Sequence, residues 1–265
     1  MMKKIIPLSE LPLSNDFMFG EIMSRKEIAK LFLEDLLNAK IARLEYVNKQ
    51  EMIEDGTGSH GIRLDIYLQD NANTMYDVEI QTTDEHNLER RSRYYQQKID
   101  ARTLRKNADY SELPDSYVIF VCTFDYFKRG LAAYKKKSIL EDCDLEYDDG
   151  SHVIFLNSAF SINNTSLPIE EFLKFLQTND SDAPYQSELA KKVVSAVNEV
   201  RNDTSREGIY MTFATKLEEN LKQGLKQGRA DIILKLAQKF SAEEIAAMLE
   251  ESVDYIQGVI SEREN

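Results

Sequence analysis

Two stretches, RLDIYLQD (63–70) and YDVEIQ (76–81), alternate apolar and polar residues around a polar turn, and no other pattern in the chain limits its fold as tightly. Paired as an antiparallel hairpin centred on Ala72, they oppose residues whose numbers sum to 144. Arg63 then faces Gln81, Asp65 faces Glu79, and Tyr67 faces Asp77. Strand side chains alternate with a period of two, so these six share one face. The other face carries Leu64, Ile66, Leu68, Tyr76, Val78 and Ile80. It is wholly apolar and must be covered by a helix or a second sheet. A slip of one residue would turn it into water, so burial fixes the register.

The polar face sets two acids directly opposite each other. Cross-strand Cβ atoms lie about 4.5–5.5 Å apart, and like charges there destabilise the pair. Two readings follow. Arg63 or a neighbouring lysine neutralises Asp65 and Glu79, or both carboxylates hold a divalent cation. Hard oxygen donors suit Mg²⁺ or Mn²⁺, whereas Zn²⁺ favours His and Cys. His60, His86 and His152 show no paired ligand spacing, and neither do Cys122 and Cys143. Gln81 points the same way as Glu79. It is neutral and cannot act as a base, but it can orient a water or a phosphate oxygen.

Around this hairpin the chain reads as α/β. Residues 14–39 carry Phe17, Ile28, Leu31, Phe32 and Leu36 at helical spacing, with Ser14, Asn15 and Asp16 as N-cap candidates. Residues 41–53 read as a strand, and EDGTGSHG (54–61) as a turn. A second helix spans 84–106. SYVIFVCTF (116–124) is a nearly continuous apolar run, as in a parallel strand buried on both faces, and HVIFLN (152–157) is a further strand. A helix joining two strands favours a mixed sheet. Beyond about residue 168 the chain turns helical, with amphipathic segments at 169–177 and 186–203. A long helical stretch over 205–240 holds the repeat LKQG-LKQG (221–228). Gly224 and Gly228 each cost about 1 kcal/mol against Ala in a helix. They mark a joint or a close helix contact, and the joint is the simpler reading. Ser241 and Glu244 form a capping box that starts a short tail helix. A second helix from Ser252 would make either a helix-turn-helix or a small cap or dimerisation unit.

The net charge of −13 argues against a protein that coats nucleic acid by bulk electrostatics, though not against a local basic patch. Two cysteines make no disulfide framework. The N-terminal stretch lacks the apolar run of a signal peptide, and no segment reaches the ~18 apolar residues of a membrane helix. The expected setting is the reducing cytoplasm, with no membrane partner.

The helix after the hairpin breaks the acidic pattern. Seven basic residues fall between His86 and Lys106, at 90, 91, 93, 98, 102, 105 and 106, opposed only by Glu89 and Asp100. Arg91, Tyr95, Lys98, Arg102 and Arg105 share one helix face by spacing. Phosphate neutralisation is one use of such a stripe, and a solvated face paired with acids elsewhere is the other.

At these residues the chain resembles the PD-(D/E)XK nuclease superfamily, and within it the Rpn-like recombination-promoting nucleases, or PD-(D/E)XK family transposases. The carrying pieces are NDFMF (15–19), RLDIYLQD (63–70), YDVEIQ (76–81), ERRSRYYQQKID (89–100) and SYVIFVCTFDYF (116–127), in the family's order over roughly residues 14–130. The resemblance implies a restriction-endonuclease-like mixed-sheet core of order αβββαβ, followed by a helical C-terminal region. The implied division is 1–180 for the nuclease-like domain, 181–240 for a helical extension and 241–265 for a small helical tail. It also implies Mg²⁺-dependent (or Mn²⁺-dependent) hydrolysis of DNA phosphodiesters, with a link to recombination. Asp65 and Glu79 would be catalytic and hold metal, with the Ile80 carbonyl and Asp16 completing the site. Gln81 stands where the motif has lysine, a replacement typical of the group. Arg90, Arg91, Arg93, Tyr95, Lys98, Arg102 and Arg105 would grip the DNA backbone. Two alternatives accompany this reading. One is a catalytically weak module of the same fold that binds nucleic acid or protein. The other makes residues 205–265 an arm for homodimer formation.

Overall fold

A computed structural model describes residues 5–53 and 62–261, and of these the side chains of 47–53 and 62–65 lie outside the described set. The turn expected at 54–61 therefore lies outside the described residues, as do the side chains of Arg63 and Asp65.

The described residues divide into two compact units, one spanning Ile6–Thr204 and the other holding 205–261. In the larger unit the order is α1 (Asp16–Met23), α2 (Lys26–Leu37), β1 (Leu44–Ile53), β2 (Ile62–Asp70), β3 (Met75–Gln81), α3 (Leu88–Thr103) and β4 (Ser116–Cys122). Three short strands follow, β5 (Ala133–Lys135), β6 (Ile139–Leu140) and β7 (Leu145–Glu146), then β8 (Ser151–Asn157), α4 (Leu167–Thr178) and α5 (Glu188–Asn202). Six strands form one mixed sheet in the order β1-β2-β3-β4-β8-β5, while β6 and β7 pair separately. β1, β2 and β3 are antiparallel neighbours, and β3, β4 and β8 run parallel. The αβββαβ order and the parallel placing of 116–122 thus match the reading from sequence.

Over residues 66–69 of β2 the hairpin keeps the expected register. Ile66 pairs with Val78, Tyr67 with Asp77, Leu68 with Tyr76, and Gln69 with Met75. The turn is tied by Asp70, whose Oδ1 accepts from the backbone N–H of Ala72 at 2.8 Å and of Thr74 at 3.0 Å. Its Oδ2 accepts from the Tyr76 hydroxyl at 2.8 Å. A short polar side chain that bonds its own turn in this way competes with continued strand, which is why the ladder stops there.

Both faces of the sheet are covered. α3 crosses between β3 and β4, and Leu88, Tyr95 and Ile99 join Tyr67, Met75, Val118, Phe120, Cys122, Val153 and Phe155 in one apolar cluster. Gln96 pins the helix over the starts of β4 and β8. Its Nε2 donates to the His152 carbonyl at 2.9 Å, and its Oε1 accepts from the Ser116 hydroxyl. Ile66, Val78, Ile80, Ile119, Val121, Ile154 and Leu156 are buried on the opposite face. On that side α1 meets β2 and α2 meets β1, with α4 and α5 packed on these helices.

The single helix expected over 14–39 is two. Ser24 donates its hydroxyl to the Glu21 carbonyl at 3.0 Å, and Arg25 leaves helical space at φ −84°, ψ 109°. Asn15, not Asp16, caps α1 by accepting from the Phe17 N–H at 3.0 Å. α3 is also shorter than 84–106, because His86 sits at φ 54°, outside the helical region, and Asn87 precedes the first turn.

In the second unit, α6 (Thr204–Leu236) runs as one helix through both glycines of the repeat, so no joint interrupts it. α7 (Ala242–Leu249) and α8 (Val253–Ser261) close a small core of Ile233, Ile245, Ala246 and Ile256. The Ser241–Glu244 capping box is present. No described helix is long and apolar enough to cross a membrane.

The start of α5 depends on a buried carboxylate. Glu171 accepts from the N–H of Gln186 at 2.9 Å and of Ser187 at 2.7 Å. Burial works against its charge, but these backbone bonds outweigh burial and hold its pKa below the ordinary 4.5. The stabilisation is thus full above pH 4.5 and is lost as the pH falls through the depressed value. Glu171→Gln is expected to cost about 1–3 kcal/mol at pH 7 in urea unfolding, with the gap to the unmodified protein narrowing near pH 3. An equal gap at both pH values would refute this role.

Candidate active site

β3 carries acids on the face that α3 covers. Asp77 is fully buried and Glu79 is 2% exposed, so the polar side of the hairpin is interior rather than solvated. Carboxylates taken out of water need charge or hydrogen-bond partners. α3 supplies a cation from its inner face. The Arg91 guanidinium donates from Nη1 to Gln81 Oε1 at 2.8 Å and from Nη2 to the Tyr95 hydroxyl at 2.9 Å. Nη2 also lies 3.5 Å from Glu79 Oε2. The guanidinium stands over the Tyr95 and Phe120 rings, at 5.4 and 5.7 Å from their centroids, within cation–π range.

The electrostatics follow from this crowding. Burial opposes the charge on Arg91, but the Tyr95 hydroxyl and the nearby Glu79 and Glu85 prevail and raise its pKa. Tyr95 is pushed up to about 12, chiefly by burial and next by Glu79. Cys122 lies across from Gln81 on β4 and is likewise pushed up to about 12, by burial first, with Asp84 adding and Arg91 opposing.

The residues expected to form the site are distributed as follows. Glu79 and Gln81 are together on β3, beside Arg91. Ile80 lies between them, in register with Val121. Asp65 is on β2 next to Ile66, and its side chain is outside the described residues. Asp16 is exposed in the first turn of α1, a helix that touches β2. The basic stripe divides. Tyr95 and Lys98 are buried and Arg91 is largely so, whereas Arg90, Arg93, Arg102 and Arg105 are exposed, Arg105 beyond the end of α3. Lys98 lays its ammonium 5.3 Å from the Tyr94 ring centroid. The inner half of the stripe is therefore covered, with Arg91 reaching Glu79 of the sheet, and the outer arginines meet solvent. Asp77 belongs beside Glu79 as a second buried acid. The alternation of β3 puts it on this face, but its position opposite Tyr67 drew no functional reading from sequence.

Glu79 and the side-chain oxygen of Gln81 are hard-oxygen donors of the kind Mg²⁺ takes. Among the described residues, which do not include the Asp65 side chain, no group of three or more His, Cys, Asp or Glu could hold a metal ion.

A family model described as PD-(D/E)XK nuclease family transposase matches residues 13–223, which include the whole six-stranded sheet and its covering helices. No curated protein and no solved structure matches the chain.

Of the two free cysteines, Cys143 is exposed, while Cys122 is buried beside Gln81 with a raised pKa. Only thiolates react rapidly with disulfide reagents. Titration of the native protein with such a reagent at pH 8 is expected to modify Cys143 quickly and Cys122 only after unfolding. Equal rates for both thiols would contradict the closed packing of β4 beneath α3.

Proposed function

Because the chain belongs to the PD-(D/E)XK nuclease family transposases, we propose that it is a Mg²⁺- or Mn²⁺-dependent DNA endonuclease whose reaction centre is the Glu79–Gln81 end of β3. The observation that carries this reading is the meeting of Glu79, Gln81 and Arg91 within hydrogen-bonding and ion-pair distance at one end of the sheet. Extended by one residue beyond the Ile66–Val78 pair, the hairpin register would set Asp65 opposite Glu79, and these two carboxylates would hold the metal. The Ile80 carbonyl and Asp16 are further candidate ligands. The bound ion would supply Lewis acidity toward the phosphate and lower the pKa of the attacking water. In hydrolysis the water oxygen bonds to phosphorus as one ester P–O bond breaks, leaving a phosphomonoester and a hydroxyl. Gln81 orients the water through its amide. The exposed Arg90, Arg93, Arg102 and Arg105 hold the DNA backbone, contacts that position the duplex without reading its sequence. Unbridged Cys122 and Cys143 fit a reducing cytoplasmic setting.

Purified protein is expected to cleave duplex DNA with Mg²⁺ or Mn²⁺ and to stop when a chelator is added. Asp65→Ala and Glu79→Ala should each lower the rate by about 10³-fold, the equivalent of several kcal/mol. Cleavage that survives both substitutions would assign the activity elsewhere. The neutral Gln81 favours a second reading, a weakly catalytic binding module. Its signature is a salt-dependent gel shift without metal uptake in calorimetry.

The proposal extends to a homodimer through α6. Leu217, Leu221 and Leu225 are exposed on one face of this helix, and nothing crowds the Cα of Gly224 or Gly228. The acidic pair Glu218 and Glu219 precedes Lys222, Lys226 and Arg229, so an antiparallel second copy sets opposite charges together. Light scattering is expected to give a dimer for the full chain and a monomer for a chain ending at residue 204. An unchanged subunit number removes the proposal.

A further inference from the structure

We propose that Arg91 supplies, from helix α3, the positive charge at the reaction centre that the family's motif takes from a lysine on the strand, and that it contacts a non-bridging oxygen of the cleaved phosphate. The proposal rests on the nuclease reading above and deepens it.

Residue 81 is a glutamine, which brings no charge to the site. The nearest cation is not distant, however. Arg91 Nη1 is 2.8 Å from the Gln81 oxygen and Nη2 is 3.5 Å from Glu79, so a positive group stands one hydrogen bond from the strand position of the missing lysine. It is held there from several sides. The Tyr95 hydroxyl accepts from Nη2 at 2.9 Å, and the Tyr95 and Phe120 rings lie under the guanidinium. A side chain fixed in this way loses little entropy when it meets a ligand, which is how preorganised charge stabilises a transition state.

The donor inventory leaves capacity for substrate. A guanidinium has five N–H groups in a planar fork. The bonds to Gln81, Tyr95 and Glu79 use one N–H of Nη1 and both of Nη2. The second Nη1 proton and the Nε proton remain, and 26% of the side chain is open to solvent. Planar donors of this kind match phosphate oxygens better than an ammonium does. The exposed Arg90 and Arg93 are the nearest basic neighbours in sequence, but they lie on the solvent side of the helix.

The competing role is positioning alone, in which Arg91 only holds Gln81 and Glu79 in place. Relocating the charge separates the two. Full-length Arg91→Gln, Arg91→Lys and the double variant Arg91→Gln/Gln81→Lys are compared with the unmodified protein on linear duplex DNA with Mn²⁺. The melting temperature of each is taken as a check on folding. Arg91→Gln is expected to lower kcat by about 10²–10³-fold with little change in KM. Arg91→Lys should lose about tenfold, because one ammonium replaces the fork. The double variant should recover at least tenfold over Arg91→Gln, since lysine at 81 restores the cation but not the bonds that Arg91 makes. Should Arg91→Gln melt far below the unmodified protein, the same comparison is made on Arg91→Lys with and without Gln81→Lys. Calorimetric titration of metal-free Arg91→Gln with Mn²⁺ is expected to give an affinity equal to or tighter than that of the unmodified protein, because a cation has left Glu79.

Absence of recovery in the lysine-bearing variants overturns the proposal. So does a tenfold or greater loss of Mn²⁺ affinity in Arg91→Gln, which marks a positioning role. If Glu79→Gln abolishes cleavage while Arg91→Gln leaves kcat unchanged, the role of Arg91 falls and the nuclease reading stands. If the unmodified protein cleaves with neither metal, both fall together.

Discussion

A strand that carries acids on its covered face is the constraint from which the rest of the larger unit follows. Asp77 and Glu79 alternate with Tyr76, Val78 and Ile80, and the apolar set already claims the other face of β3. The acids therefore enter the interior wherever a helix closes over the sheet. Leaving one such charge without compensation costs about 3–5 kcal/mol, a large share of the about 5–15 kcal/mol that holds a domain folded. The covering helix cannot then be an ordinary apolar one. α3 buries Ser92, Gln96 and Lys98 as well as Leu88, Tyr95 and Ile99, and it extends Arg91 to Glu79 and Gln81. Polar groups on the strand select polar groups on the helix, and aromatic rings fill the space between them.

That coupling explains which features were readable from sequence. Period-two alternation fixed the hairpin register, because only one pairing buries Ile66, Leu68, Tyr76, Val78 and Ile80 together. The parallel strand at 116–122 was readable because an apolar run without alternation requires cover on both faces. The inward turn of the α3 stripe was not readable. Helical spacing tells which residues share a face, not which face looks inward, and arginine and tyrosine occupy both sides of this helix. Composition points such a helix toward solvent. What holds Arg91 inward, with Tyr95 bonded to it, is Glu79 and Gln81 on a neighbouring strand, a tertiary fact that no window on the helix contains.

Other differences have local causes of similar kind. The apolar stripe over 17–36 keeps helical phase across the break at Ser24 and Arg25, so periodicity joins what the Ser24 hydroxyl and an extended Arg25 separate. Gly224 and Gly228 weaken a helix by about 1 kcal/mol each, yet α6 continues through them. Propensity is a weak prior beside thirty-three residues of cooperative helix. The capping box at Ser241, by contrast, is a purely local device, and it appears where the sequence places it.

On the proposed nuclease reading, a helix arginine in place of a strand lysine would change what the site can do with protons. Lysine lowers its pKa readily when buried and can then take a proton near neutral pH. Gln81 does not titrate, and the pKa of Arg91 is moved upward, away from that range. Neither residue is a general base. In that reading the proton lost by an attacking water would pass to a carboxylate, to the substrate phosphate or directly to solvent. A fixed guanidinium suits such a site better than a lysine would. It would keep its charge through hydrolysis, and it cannot lose a proton to the carboxylate buried beside it.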